Sequence, residues 1–250
     1  MTLQDRITAW IKDYAQRAKI KNLVVGISGG IDSSVVSTLC AMTGLQTYVV
    51  SMPIKQSKTT HNLSLAHAEW ITKNFSNVKH LNIDLTPTFK QFEKLWENPS
   101  TLGLANSRSR LRMIALYQLA QTAPDGGIVV GTGNKVEDFG VGFFTKYGDG
   151  GVDISPIADC WKTEVWQMGR ELGVLEDIIN AAPTDGLWDD GRTDEDQLGM
   201  TYADLEVAMR MDLGEITTDE PTLIANLLKY RTIRSRGLHK MNPIPVFKKS

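Results

Sequence analysis

The sequence predicts an α/β fold, a mostly parallel sheet with helices on both faces. Three observations carry that prediction. Short apolar runs alternate with helical patterns as far as Gly131. The runs Leu23-Val24-Val25-Gly26-Ile27 and Ile128-Val129-Val130-Gly131 lack polar alternation, as strands buried on both faces do. The 250 residues are 42% hydrophobic and 22% charged, enough to bury a sizeable core without disulfide or metal staples.

The elements follow in order. Leu3, Ile7, Trp10, Ile11 and Tyr14 fall at helical spacing over residues 3–18, with Thr2 and Asp5 placed as a capping box. The first strand, 23–27, leads into a helix over 32–42 with Val35, Val36 and Leu39 on one side. Residues 47–52 form a second strand ended by Pro53. A helix over 60–74 turns Leu63, Ala66, Trp70 and Ile71 inward, and 78–85 reads as a third strand. Phe89, Phe92, Leu95 and Trp96 mark a further helix, 107–121 a longer one, and 128–131 the fourth strand. Residues 131–155 are rich in Gly, Asp, Lys and aromatics, too polar for a core and too long for a simple connection, so they are expected to be functional or disordered. Helices are predicted at 162–172, 201–211 and 219–231, followed by a basic tail over 231–249 that ends in proline-containing coil. No repeat or interdomain linker interrupts the chain, and a single domain over 1–250 is expected.

Composition excludes several roles. A net charge of −2 lacks the basic excess of a protein that grips a nucleic-acid backbone. Cys40 and Cys160 do not form a disulfide framework and read as ordinary thiols of a reducing compartment. The N-terminus, Met1-Thr2-Leu3-Gln4-Asp5-Arg6, lacks the apolar run of a signal peptide, and no stretch approaches the ~20 apolar residues of a membrane span. A soluble, cytoplasmic protein with no membrane partner is expected.

The first strand runs into Ser28-Gly29-Gly30-Ile31-Asp32-Ser33-Ser34 and then a helix. Glycines let backbone N–H groups turn inward and let phosphates approach, and the helix start adds unpaired donors and a positive dipole end. Ser28, Ser33 and Ser34 add hydroxyls. Asp32 is out of place in an anion site unless a magnesium ion bridges it to phosphate. The loop is neither a Walker A sequence nor a dinucleotide Gly-x-Gly-x-x-Gly. A tight turn with Asp32 as a simple helix cap is the bland alternative, and the strand–loop–helix context disfavours it. The pattern Ser-Gly-Gly-x-Asp-Ser resembles the pyrophosphatase loop of ATP enzymes that release pyrophosphate and transfer AMP. On that resemblance Gly26 to Ser34 are expected to bind ATP.

The second half narrows the choice. Gly131-Thr132-Gly133-Asn134-Lys135-Val136-Glu137 follows the fourth strand, at the carboxyl end where ligands of open α/β sheets bind. Gly142-Phe143-Phe144-Thr145-Lys146-Tyr147-Gly148-Asp149-Gly150-Gly151-Val152-Asp153 follows. Here the chain resembles the NAD synthetases, which amidate deamido-NAD to NAD, and the resemblance runs from Ser28 to Lys240. It implies a Rossmann-like, adenine nucleotide alpha-hydrolase-like fold, ATP as co-substrate and magnesium as cofactor. It further implies Asp32 and Glu137 as metal carboxylates, and Thr132, Lys162 and Thr184 as ATP contacts. Arg110, Lys146, Asp153, His239 and Lys240 are implied as contacts to deamido-NAD. Asp32, Lys162 and Asp153 are the residues expected to carry the chemistry.

Other readings of these residues are bland. Arg108 and Arg112 flank Arg110 as surface charges or intrahelical partners. Phe143 and Phe144 suit loop anchoring as well as ring stacking, and Trp161 and Trp166 suit the core. Lys162 opens a helix, where the dipole disfavours a cation, which makes a ligand role more expected than usual. The chain departs from the best-known bacterial pattern in three places: Ile31 replaces glutamine, Gly133-Asn134-Lys135 replaces Asp-His-Ala, and Ser51-Met52-Pro53 stands where arginine begins Arg-Leu-Pro.

The family takes ammonia directly or from a fused glutaminase. Only 20-odd residues precede the first strand, and neither cysteine has the setting of an activated thiol, so no glutaminase domain is expected and ammonia should be used directly. Asp153 is the carboxylate proposed to hold or deprotonate ammonium. The resemblance also implies a homodimer, for which residues 111–119 offer an apolar surface. Loops 53–61 and 181–199 are candidate lids. A different AMP-transferring amidotransferase, a tRNA-modifying synthetase, or an ATP sensor without turnover are the competing readings.

Overall fold

The computed structural model describes residues 1–56, 58–184 and 193–249. Helix α1 (Leu3–Arg17) starts as its sequence dictates: Thr2 N–H donates to Asp5 Oδ2 at 2.9 Å, and Asp5 N–H donates to Thr2 Oγ1 at 3.3 Å. Ile7, Ile11 and Ala15 form its buried stripe, while Trp10 at the stripe's edge is exposed beside Tyr14.

Strand β1 (Asn22–Gly26), helix α2 (Ile31–Met42), strand β2 (Gln46–Ser51), helix α3 (Lys58–Asn74) and strand β3 (Val78–Asn82) come next. They are followed by helix α4 (Thr86–Glu93), helix α5 (Thr101–Thr122) and strand β4 (Gly127–Val129). The four strands lie in the order β3-β2-β1-β4, every pair parallel, with Gly26 opposite Val50 and Val24 opposite Val129. Successive strand residues point to opposite faces. Leu23 and Val25 therefore pack with Ile7, Ile11, Val35 and Leu39 of α1 and α2. Val24, Val50 and Val129 pack with Met113, Leu116 and Ala120 of α5 on the other side. The chain leaves β1 toward β2 on one side and places β4 on the other. That switch point opens a crevice at the carboxyl ends of β1 and β4.

Several expectations are corrected. Ala66 is exposed; Ile71 is buried as expected, and His67 and Ala68 share its face. Strand β3 ends at Asn82, although Ile83 and Leu85 N–H still donate to Ser51 and Pro53 carbonyls. Helix α4 ends at Glu93, before Leu95, Trp96 and the Pro99 that disfavours helix in front of it, and both Leu95 and Trp96 are exposed. Helix α5 begins earlier than predicted because Ser100 caps it, its Oγ accepting from Gly103 N–H at 3.0 Å.

The segment after β4 is neither too polar for a core nor irregular throughout. Val136, Val141, Ile154 and Ile157 are buried, and Gly131 N–H donates to Ile154 O at 2.8 Å, tying the segment to the sheet. Glu137–Val141 form a single π-helical turn, closed by Gly142 at φ +70°. Helices α6 (Lys162–Glu171), α7 (Glu176–Ile179), α8 (Asp194–Leu198), α9 (Tyr202–Asp212) and α10 (Pro221–Met241) complete the chain. Sequence periodicity missed the short α7 and α8. Helix α10 runs ten residues beyond its predicted end, into the basic tail. Its cations are used: Arg234 donates to the carbonyls of Phe139 and Gly140, and Lys240 to those of Gly142 and Phe144. Gly237 lets the helix approach so closely that a Cβ would stand 2.7 Å from Val141 O.

Candidate active site

The loop after β1 is held by its own hydroxyls. Ser28 N–H donates to Ser33 Oγ at 3.2 Å, Gly30 N–H to Ser28 Oγ at 3.2 Å, and Ser33 Oγ to Gly30 O at 3.1 Å. Gly29 has φ +91°, and a Cβ there would stand 2.6 Å from Thr60 O, so glycine is required on both counts. No side chain caps α2, which leaves its first N–H groups directed at whatever occupies the loop. Ser34 is fully buried and donates to Gly30 O at 2.9 Å. It braces the loop from behind and does not line the cavity.

Around this loop lies a cavity of about 490 Å³ at the switch point. Gly26 to Ser33, Thr132, Glu137, Lys162 and Thr184 all line it, from five separate segments of the chain. At its floor Lys162, 1% exposed, reaches inward from the first residue of α6. Its Nζ donates to Asp32 Oδ2 at 2.5 Å and to Glu137 Oε1 at 2.8 Å. The rings of Trp166 and Tyr202 lie 5.7 and 5.0 Å from the same nitrogen. Helix α9 fixes the start of α6, because Glu206 accepts from Thr163 N–H and Thr163 Oγ1, each at 2.9 Å.

The electrostatics follow from burial and pairing. Burial disfavours the Lys162 ammonium, but Asp32 and Glu137 outweigh it and hold its pKa well above 10.5. Burial also pushes Glu137 up, and the Lys162 charge with hydrogen bonds from Lys162, Tyr202 and Asn134 brings it below the usual carboxylate range. Asp32 lies above that range, pushed up by burial and by Glu137 against the pull of Lys162. Asp138, on the same cavity wall, is raised well up by burial and by Asp149, Glu137 and Asp32.

The remaining residues implied as acceptor contacts lie outside this cavity. Arg110 lines an adjacent shallow groove with Tyr117 and Tyr147, and its Nε donates to Lys146 O at 3.1 Å. Lys146 Nζ points toward His239 O at 3.4 Å. Lys240 Nζ donates to Phe144 O at 2.7 Å and lies 4.8 Å from the Phe144 ring. Asp153 is exposed, yet its carboxylate is engaged by Val129 N–H at 2.7 Å and Tyr117 Oη at 3.1 Å. The aromatic-glycine loop is pinned to α5 where Ser109 Oγ donates to Asp149 Oδ1 at 2.5 Å.

Sequence reasoning missed three residues here. Asn134 and Tyr202 both bond to the acidic pair, and Arg112, read as a surface charge, lines the cavity and donates from Nε to Met52 O at 3.0 Å. Ser51 is buried against Ser64 and His80, out of the cavity. Cys40 and Cys160 are both buried, with the Cys160 thiol pushed up to about 11 by burial and by Glu164 and Asp159, the reverse of an activated nucleophile. The lid expectations fall partly on residues 57 and 185–192, outside the described residues.

The NAD synthase family model matches residues 3–246. The chain belongs to this family. An NH3-dependent NAD+ synthetase of Mesoplasma florum is 38% identical over 216 residues, 84% of this chain and 85% of that protein. The NH3-dependent NAD+ synthetase of Sulfolobus acidocaldarius is 36% identical over 248 residues, 96% of this chain and 86% of that protein. Among solved structures, NMN synthetase from Francisella tularensis aligns with TM-score 0.86 at 29% identity, covering 99% of this chain and 98% of that one. An NH3-dependent NAD synthetase from Campylobacter jejuni, at TM-score 0.79 and 22% identity over 98% of both chains, shares the fold. The parallel sheet of this NAD synthase family member, with its crevice between β1 and β4, is thus the fold the sequence predicts.

Proposed function

We propose that the chain amidates deamido-NAD to NAD with ATP and ammonia, releasing AMP and pyrophosphate. The observation that carries this reading is the cluster of buried Lys162 with half-buried Asp32 and Glu137, set beside the Ser28–Ser33 loop. Lys162 Nζ contacts both carboxylates, and Asp32 and Glu137, two hard oxygen donors beside the phosphate loop, would also hold a divalent ion. Magnesium, when bound there, supplies charge neutralisation at the pyrophosphate oxygens.

The protein's part is positioning and electrostatics. The loop N–H groups and the start of α2 hold the phosphates, with Thr132 and Thr184 as further contacts. Arg110, Lys146, His239 and Lys240 face the acceptor side. A carboxylate oxygen of the nicotinate ring attacks the α-phosphorus; that O–P bond forms as the bond to pyrophosphate breaks, and Lys162 meets the leaving charge. Ammonia then attacks the adenylated carbonyl carbon. The C–N bond forms, the C–O bond to AMP breaks, and the surplus proton passes to Asp153 or solvent.

The similarity to an NMN synthetase favours a second acceptor, the deamido mononucleotide, whose nicotinate carboxylate would undergo the same chemistry. In the same reading the protein is a cytoplasmic homodimer joined through the α5 face that exposes Ile114; no helix among the described residues is long and apolar enough to cross a membrane.

Direct use of ammonia has a simple test. The purified protein should form NAD with ammonium as sole nitrogen source, its rate rising with pH as ammonium yields free ammonia. Glutamine supporting an equal rate without ammonium would contradict this.

A further inference from the structure

We propose that Asn134 is a positioning residue for adenylation, setting the facing of Asp32 and Glu137, the two carboxylates that would hold a divalent ion with ATP. The inference rests on the functional reading above. Asn134 is fully buried, and its two side-chain ends do different things. Oδ1 accepts from Val136 N–H at 2.9 Å and Glu137 N–H at 3.0 Å, fixing the backbone that carries the Glu137 carboxylate. Nδ2 donates to Asp32 Oδ1 at 3.0 Å, across 102 residues of sequence. The amide orientation is dictated by these partners, since a flipped amide would set its NH2 against two N–H donors.

Capping alone does not account for the residue. Serine would accept from the same N–H groups, but its single, shorter hydroxyl has no second polar end to carry across to Asp32. The amide leaves Asp32 Oδ2 to Lys162, so one side chain sets the facing of both carboxylates without adding charge. This is the support that metal-ligating carboxylates require from their surroundings, and its loss typically weakens metal binding about ten- to a hundredfold. In the family pattern given above, histidine stands at this position, another side chain able to present an N–H donor.

The variants Asn134→Ser and Asn134→Ala separate the two roles, because both lose the donor that reaches Asp32 and only serine keeps a capping oxygen. The direct readout is Mn2+ binding, followed by electron paramagnetic resonance in the presence of α,β-methylene-ATP, alongside the Mg2+ concentration for half-maximal NAD formation. Both variants should bind Mn2+ about tenfold or more weakly. Their Mg2+ requirement should rise by the same factor, with Asn134→Ser, which keeps a capping oxygen, melting nearer to the unsubstituted protein than Asn134→Ala. Unchanged or tighter Mn2+ binding in either folded variant would overturn the proposal, as would failure of both to fold, which would make Asn134 a residue of the fold alone. A protein that binds Mn2+ as described but makes no NAD would contradict the functional reading and leave the positioning role standing.

Discussion

Lys162→Met should lower kcat/KM by at least about a thousandfold while leaving a protein that folds best under mildly acidic conditions. The catalytic part of that loss follows from removing the buried cation proposed to meet the departing pyrophosphate, where a single missing donor already costs about 10²–10³. The stability part follows from the two carboxylates left behind. Lys162 is 1% exposed and bridges Asp32 and Glu137, and breaking a buried pair by deleting one partner costs about 3–5 kcal/mol. Methionine keeps the volume and the contacts to Trp166 and Tyr202, so the effect isolates the charge.

The pH dependence has a definite sign. With Lys162 present, Glu137 titrates below its unfolded value, so its contribution is present above that value and is lost as pH falls through the folded one. Lys162 titrates above 10.5, so its contribution is present below that pH and is lost only as pH rises through the higher folded value. Asp32 works in the opposite sense to Glu137, since its raised value disfavours the fold once it ionises. In Lys162→Met both carboxylates lie above their unfolded values, so the variant loses stability as pH rises from the carboxylate range toward neutrality. Thermal denaturation at pH 5 and pH 8 checks this: the gap to the unsubstituted protein should be wider at pH 8. An equal gap at both would mean that Lys162 does not carry the compensating charge.

Glu137→Gln is expected to separate catalysis from stability. The amide carbonyl can still accept from Tyr202 Oη, which now lies 2.6 Å from Glu137 Oε1, and Lys162 keeps Asp32 as its partner. Little stability should be lost. What disappears is one of the two negative charges facing the cation position, and kcat/KM should fall about a hundred- to a thousandfold with a raised Mg2+ requirement. Asp32, freed of the repulsion from Glu137, should ionise at lower pH, moving the acid limb of the rate profile downward. Steady-state kinetics at graded Mg2+ concentrations and pH measure both effects. Activity within a few-fold of the unsubstituted enzyme would remove Glu137 from the metal site.

The parts of this site that were legible in the sequence are those packed into short stretches. A β-branched run, Ser28-Gly29-Gly30, and a helix that starts at once specify a loop whose geometry glycine makes necessary, and the structure places Gly26 to Ser33 on one cavity. Lys162 stood out because a cation at a helix start opposes the dipole and needs another reason to be there. Tyr202 had no such signal. It meets Glu137 across 65 residues through tertiary packing, and an aromatic on an amphipathic helix looks like core, which Tyr202 also is. The basic stretch after Arg231 misled for a related reason. Long cationic side chains usually mean solvent, but Arg234 and Lys240 reach across from α10 and donate to the carbonyls in and after the π-turn. Asn134 sat in plain view within Gly131–Glu137, and only the distance from Nδ2 to Asp32 gives it a role.

The most direct test of the account is product stoichiometry. Purified protein supplied with ATP, Mg2+, ammonium and deamido-NAD should yield NAD, AMP and pyrophosphate in equal amounts, with no AMP when the acceptor is omitted and only slow turnover in Lys162→Met. ADP and phosphate in place of AMP and pyrophosphate, or ATP binding without AMP release, would contradict it.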